Sequence, residues 1–428
     1  MAAASPLVYA IDFGTSNSLL GAVSADRSQG LAPLDPMAAD PHVLRSLMYF
    51  GPRQAPTFGE VAIKAYVDDS MHGRFLRSFK RFLPMKSFDG TLIDSKQWSL
   101  EELTARFLRE MRERANAHFD QDVESTVLGR PALFSDDEES HQLALSRLET
   151  AAHLAGFKHV EFLPEPVAAA YRYRLEMKKE EVVLVADFGG GTSDYTVLKL
   201  SQREFRPSDV LAIGGAPLAG DSLDGAIMRH RISKNFGSEV SYTVPFGSNV
   251  LTMPKSLMAY LTSTAHINFL NSRENREFLK RVRDWSLGPQ DQSAMEQLGV
   301  LLENQLGFSV FEAIERAKRA LSDHSHAEVS FRYPGIDLAE RVSAKQFKEY
   351  SKEELAKIFA ALDETLLRAG LNPKQVDRVC CTGGTAKVGL VRQELLKRFD
   401  ESRLENFRHF TSIVEGLGER AQQLLRDG

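Results

Sequence analysis

Cysteine is nearly absent: two in 428 residues, and those two, Cys380 and Cys381, are adjacent. Neighbouring cysteines lack metal-ligand spacing and are poorly placed to bridge one another, so the expectation is reduced core thiols in a cytoplasmic protein. Long hydrophobic runs are missing too. No stretch reaches the roughly 18 apolar residues of a membrane helix, and the opening Met1 to Ala10 lacks the basic segment of a signal peptide, which predicts a soluble chain without membrane contact. There is no excess of positive charge: a formal charge of −5 removes the broad basic field that nucleic-acid binders use, leaving only the local run Arg74, Arg77, Lys80, Arg81, Lys86. What remains, 43% hydrophobic and 26% charged residues, is a globular composition long enough for two or more cores.

Two related segments stand out. Asp12 opens Asp-Phe-Gly-Thr-Ser-Asn, and Asp187 opens Asp-Phe-Gly-Gly-Gly-Thr-Ser-Asp. Each follows an apolar run (Val8 to Ile11, Val182 to Ala186) and precedes another (Leu19 to Val23, Tyr195 to Leu198), predicting two hairpins. Either turn alone reads as an ordinary hairpin with glycines for positive φ. Two copies with the same start point elsewhere: exposed amides in glycine-rich turns form an anion nest, and an Asp at each strand end can hold a hydrated cation. A nucleotide polyphosphate with Mg²⁺ meets both needs, and the repetition implies two similar lobes facing each other.

Between these turns, Pro41, Pro52, Pro56 and Pro84 break residues 41–100 into a small peripheral unit. A helix is predicted from Glu138, with Leu145, Leu148, Ala152 and Ala155 on one face and Gly156 as its stop, followed by a strand at Val160 to Leu163. Gly214, Gly215 and Gly220 read as turns leading to a helix near 224–235. Residues 237–290 read as an accessory region. Leu355, Ile358, Phe359, Leu362 and Leu366 predict a helix ending at Gly370, then a buried strand at Val376 to Cys381 and a further helix through Val388, Val391, Leu395 and Phe399.

Glu315, Lys318, Arg319 and Ser322 lie at i, i+3, i+4 and i+7 on a helix predicted over 311–322. By themselves they describe a solvated face with a Glu315–Arg319 ion pair. Thr382-Gly383-Gly384-Thr385, a glycine break between strand and helix, adds a place where a flat purine nucleoside could lie against the backbone. Glu165, fixed between Pro164 and Pro166 ahead of Ala168 to Ala170, supplies a third carboxylate to order metal-bound water.

These segments resemble, in order and over nearly the whole chain, the nucleotide-binding domain of the heat-shock protein 70 chaperones of DnaK type, within the actin-like ATPase superfamily. Ile11 to Ser18 and Asp187 to Asp194 are similar to the family's two phosphate motifs, Glu165 to Ala170 to its connecting segment, Glu315 to Ser322 to its adenosine helix and Gly383-Gly384 to its adenosine turn. The resemblance implies an α/β, two-lobed actin-like ATPase fold of duplicated ribonuclease H-like domains with inserted subdomains. Lobe I would comprise 1–180 plus 402–428, with 41–103 peripheral; lobe II would comprise 181–401, with 220–345 as an enlarged peripheral subdomain.

It further implies ATP or ADP with Mg²⁺, and K⁺ as a further cation. Asp12, Asp187 and Glu165 would hold the metal largely through water. Lys80, Glu165, Asp187, Thr192 and Asp194 would serve hydrolysis. Nucleotide would lie against Gly14, Thr15, Ser16, Asn17, Gly189, Gly190, Gly191, Gly220 and Asp221. On the nucleoside side stand Glu315, Lys318, Arg319, Ser322, Gly383, Gly384, Thr385 and Lys387. For Lys80 the residues alone suggest a basic surface helix, and for Pro131 a routine loop proline; the resemblance makes Pro131 a switch between nucleotide states.

The chain departs from the family where Leu218 to Asp224 alters an otherwise Leu-Gly-Gly-Glu-Asp-Phe-Asp segment, where Lys387 replaces an arginine, and in the added length between Asp224 and Glu315. After Gly418 the expectation is that no linker, peptide-binding sandwich or lid follows, a layout that resembles the short YegD-type putative chaperones. The expected function is a slow Hsp70-like ATPase whose partner or client contacts 237–290, without nucleic acid. A small-molecule kinase of the same superfamily or an actin-like scaffold is the alternative.

Overall fold

The computed structural model describes residues 5–52, 54–69, 73–135, 137–169, 177–203, 206–245, 247–263, 266–406 and 412–427. Ala170, the end of the expected small-residue run, lies outside them.

Two sheets carry the fold, and they repeat one strand order. In the first, Ser28–Leu31, Asn17–Val23 and Val8–Phe13 run antiparallel to their neighbours, and Ser125–Arg130 and His159–Pro164 then continue parallel to Val8–Phe13. In the second, Val210–Ala216, Ser193–Leu200 and Glu181–Phe188 form the antiparallel part, and Arg378–Thr382 and Leu404–Asn406 the parallel part. Both expected hairpins are therefore the antiparallel cores of equivalent sheets. Leu404–Asn406 carries the second sheet past residue 401, where the sequence placed the return to lobe I; that return falls after 406 instead.

Each central strand is buried on both faces, so its side chains divide by alternation. Tyr9, Ile11 and Phe13 enter a cluster with the helices Leu100–Phe119 and Glu138–Leu154, whereas Val8 and Ala10 face the other way. Leu184, Ala186 and Phe188 fill the second lobe's core, while Val183 and Val185 join Val8 and Ala10 in a cluster shared by the two sheets. The helix Ser412–Asp427 packs against the first sheet and contributes Val414 and Leu417 to that shared cluster.

The helix Glu138–Leu154 begins where Asp137 accepts from the Ser140 amide and ends before Gly156 at φ 102°, as its sequence predicts. Lys352–Arg368 likewise stops short of Gly370 at φ 69°. Gly214 and Gly215 lie inside a strand rather than in turns. A Cβ on Gly214 would sit 2.1 Å from Thr365 Oγ1 and 2.5 Å from an Arg368 nitrogen, so glycine there admits the close approach of the helix Lys352–Arg368. The helix expected near 224–235 starts earlier, at Gly220–Ile227, widens into a π turn over Met228–Ile232 and ends in a 3₁₀ turn over Ser233–Phe236. That expected over 311–322 runs Gly307–Ala320.

Candidate functional site

The two hairpin turns meet. A Cβ placed on Gly190 would lie 2.4 Å from Ser16 Oγ, and one on Gly14 would strike the Asn17 carbonyl at 2.2 Å, so only glycine fits either place without movement. Neighbouring groups take up four of the carbonyls in the two turns. Ser46 Oγ donates to the Gly14 carbonyl at 2.7 Å and the Ser46 amide to that of Ser16 at 2.8 Å. In the second turn, Thr385 Oγ1 donates to the Gly189 carbonyl at 2.7 Å, the Gly220 amide to the same oxygen at 3.3 Å and the Asp221 amide to the Gly190 carbonyl at 2.7 Å. The amides of Thr15, Ser16, Gly190 and Gly191 have no acceptor among the described residues. With acceptors engaged and donors left over, the loops form the wall of an anion site.

They border a cavity of about 410 Å³. Gly14, Thr15, Ser16 and Asn17 of the first turn and Gly189, Gly190, Thr192 and Asp194 of the second line it, together with Asp12, Lys80, Glu165, Asp187, Pro131, Gly383, Gly384 and Lys387. Lys80 belongs to no surface helix. Ser78, left-handed at φ 54°, turns the chain into the short helix Phe79–Phe82, and Lys80 is buried with Nζ 2.8 Å from Glu165 Oε1.

Asp187 and Asp194 face each other directly across the second hairpin. Burial pushes Asp187 up to about 6, helped by the Glu165 charge and opposed by Lys80. Burial and then Asp187 push Asp194 up to about 7, against the hydroxyl of Thr192, which donates to Asp194 Oδ2 at 2.8 Å. Asp12 is raised by burial, Glu165 and Asp187, with Lys80 pulling the other way. Among the described residues no three His, Cys, Asp or Glu side chains are grouped to ligate one metal directly. Crowded oxygen donors around a roomy cavity fit a hard divalent cation that keeps much of its water, as Mg²⁺ does.

Several expected residues do not line the cavity. A Cβ on Gly191 would lie 2.8 Å from Arg81 Nε, and Asp221 pairs with Arg81 at 3.5 Å and Arg77 at 3.8 Å. Gly220 and Thr385 tether the second turn. Glu315, Lys318, Arg319 and Ser322 do not line the cavity. Glu315 and Arg319 form the ion pair their spacing suggests, and Lys318 is buried on Asp224 at 2.7 Å and the Gly220 carbonyl at 3.2 Å, away from solvent. Ser46, Cys381 and Arg392 were not anticipated: the last two line the cavity, and Ser46 anchors the first turn from a distant segment. Only the position of Arg392, on the helix Gly389–Leu396 just after the adenosine-like turn, offered a sequence signal.

Twin sheets with their glycine turns meeting at one cavity define a two-lobed ATPase fold of actin-like type. The Hsp70 protein family profile matches residues 85–244 and 294–408, well over half of the chain. Chaperone protein DnaK of Thermotoga petrophila is 24% identical over 410 residues, covering 93% of this chain and 56% of the relative. Chaperone protein DnaK of Thermosipho africanus is 24% identical over 402 residues, covering 92% and 55%. The chain belongs to the Hsp70 family, and it spans about half the length of the curated relatives it matches. The stretch between the two matched segments, 245–293, falls almost wholly in the accessory region.

Proposed function

We propose that the chain binds MgATP in the cleft and hydrolyses it to ADP and phosphate, as the ATPase part of an Hsp70-type, chaperone-class protein of the cytoplasm. The observation that carries this reading is the division of labour in the two turns: every carbonyl named above is tied back by a neighbour, while the amides of Thr15, Ser16, Gly190 and Gly191 are left to meet phosphate oxygens. When bound, Mg²⁺ neutralises phosphate charge and orients water. Asp12, Asp187 and Glu165 hold its water shell, Lys80 adds positive charge beside Glu165, and Thr192 with Asp194 positions the attacking water. Positioning and charge compensation do most of what phosphoryl transfer requires, without a strong base. Gly383-Gly384 and Lys387 border the nucleoside. Glu315, Lys318, Arg319 and Ser322 join it once the lobes adjust around nucleotide, with Pro131 relaying the state.

ATP turnover by wild type and by Lys80→Ala and Asp187→Ala, with and without an unfolded protein, tests the reading. Loss of turnover in both variants is expected, and stimulation by unfolded protein supports the chaperone assignment. Unchanged turnover in Asp187→Ala contradicts it, and turnover only with an added alcohol or acid acceptor replaces hydrolysis by small-molecule phosphorylation. Region 237–290 is proposed as the partner surface because it exposes Val250, Phe269 and Leu287. Its deletion is expected to spare ATP affinity; weaker ATP binding in the deletion would overturn that assignment.

A further inference from the structure

The helix Glu138–Leu154 buries an arginine, Arg147, on its apolar face among Ala144, Leu148 and Ala151. Its guanidinium faces the loop that leaves the short helix Phe79–Phe82. Nη1 donates to the Leu83 and Met85 carbonyls at 3.0 Å each and lies 3.5 Å from that of Phe82, and Nη2 donates to Asp89 Oδ1 at 2.8 Å. Nε stands 3.4 Å from a Glu101 carboxylate oxygen, so two carboxylates balance the buried charge. Arg147 does not line the nucleotide cavity.

What it touches is the support of Lys80. The four-residue helix holds itself only through the Arg81 amide on the Ser78 carbonyl at 3.1 Å and the Leu83 amide on the Lys80 carbonyl at 3.2 Å, too little to fix the direction of a side chain. On its entry side the Phe79 ring packs against Phe13 and Phe107, with ring centres 5.7 and 5.5 Å apart. On its exit side the Arg147 fork is the clamp. The loop is tied once more to the start of the same long helix, where Lys86 pairs with Asp137 at 3.2 Å and Glu139 at 2.5 Å, but those groups are exposed and hold less firmly than a buried fork.

We propose that Arg147 is a positioning residue for hydrolysis: by holding the carbonyls that follow Phe79–Phe82, it fixes the Lys80 ammonium beside Glu165, where the terminal phosphate arrives. The assignment rests on the role given to Lys80 above. A misplacement of about 1 Å costs up to about 100-fold in rate, so a clamp that never meets substrate still sets turnover. Arginine suits the task because its planar fork serves several acceptors at once, which a lysine ammonium does less rigidly.

Arg147→Met removes the fork and keeps the apolar stem. Single-turnover ATP hydrolysis is expected to slow by about tenfold to 100-fold, with ATP affinity within about twofold of wild type, a loss of rate without a loss of binding. In Lys80→Ala protein the same change should slow hydrolysis no further, because the group it positions is gone. Asp89→Asn alters only an exposed partner of Arg147 and should slow hydrolysis by at most about fivefold, which keeps the test open should Arg147→Met not fold. Acetylation of Lys80 in nucleotide-free protein, followed by mass spectrometry, should be faster in both variants while the other lysines react as in wild type. Wild-type acetylation of Lys80 in both variants, equal slowing with and without Lys80, or weaker ATP binding at an unchanged single-turnover rate would overturn the proposal. Wild-type hydrolysis in Lys80→Ala would overturn it through its premise, and the acetylation rates, which do not depend on turnover, distinguish that failure from a clamp that does not hold.

Discussion

In the first hairpin Asp12 stands opposite Leu19; in the second, Asp187 stands opposite Asp194. The sheets around them share one strand order, so the difference lies in chemistry and not in scaffold. Like charges directly opposed on one sheet face are destabilising, and burial compounds the cost: Asp187 is pushed up to about 6 and Asp194 to about 7. Both turns are braced by hydrogen bonds to their carbonyls, but the first has a single aspartate, which feels Glu165 from a separate strand end. Both turns thus supply amides to the wall, and the second adds a facing pair of aspartates whose charge a bound cation would relieve further than Lys80 does.

The largest expected effects remove that asymmetry. Asp187→Ala and Lys80→Ala should each lower ATP turnover by about 100-fold or more, as loss of a preorganised charged group does; steady-state phosphate release measures it. Among the glycines, Gly14→Ala should weaken nucleotide binding more than Gly190→Ala, because the first meets a backbone carbonyl and the second side-chain oxygens, Ser16 Oγ at 2.4 Å and Asp221 Oδ1 at 3.2 Å. Adding Ser16→Ala to Gly190→Ala should restore much of the affinity, while no restoration would place the two turns farther apart than described.

Asp194→Asn probes the opposed carboxylates in metal-free protein. Asp194 titrates near 7 when folded against 3.8 as its ordinary value, so the native state binds the proton more tightly than the unfolded chain. Its contribution to stability is full below about pH 4, declines as pH rises through 4 to 7 and is flat above. The asparagine variant should lack that decline and exceed wild type at pH 8 by roughly 1–3 kcal/mol in chemical denaturation. The smallest effects belong to the carbonyl tethers: Ser46→Ala and Thr385→Ala should each cost about 0.5–1.5 kcal/mol in nucleotide binding, one hydrogen bond's worth.

The sequence makes the hairpins legible because their information is local: alternating apolar residues set the strands, and glycine with Asp sets the turns. Gly156 and Gly370 mark helix ends for the same reason. Gly214 defeats that logic, since its requirement comes from Thr365 and Arg368 on a helix far along the chain. Ser46 escapes for an equivalent reason, reaching the first turn only through tertiary packing. Lys80 reads as surface because its neighbours are basic, and nothing near it in sequence shows that Glu165 will cover it. Residues 237–271 stay opaque because their elements are short, such as Ser241–Thr243 and Lys255–Met258, too brief to establish a period.

The central claim, that amides from both turns receive one triphosphate, is tested most directly by following backbone amide resonances of Thr15, Ser16, Gly190 and Gly191 during a single titration with a non-hydrolysable MgATP analogue. All four are expected to shift together with one dissociation constant, and Asp187→Ala should weaken them in common. Shifts confined to one turn, or two turns saturating at different concentrations, would contradict the account.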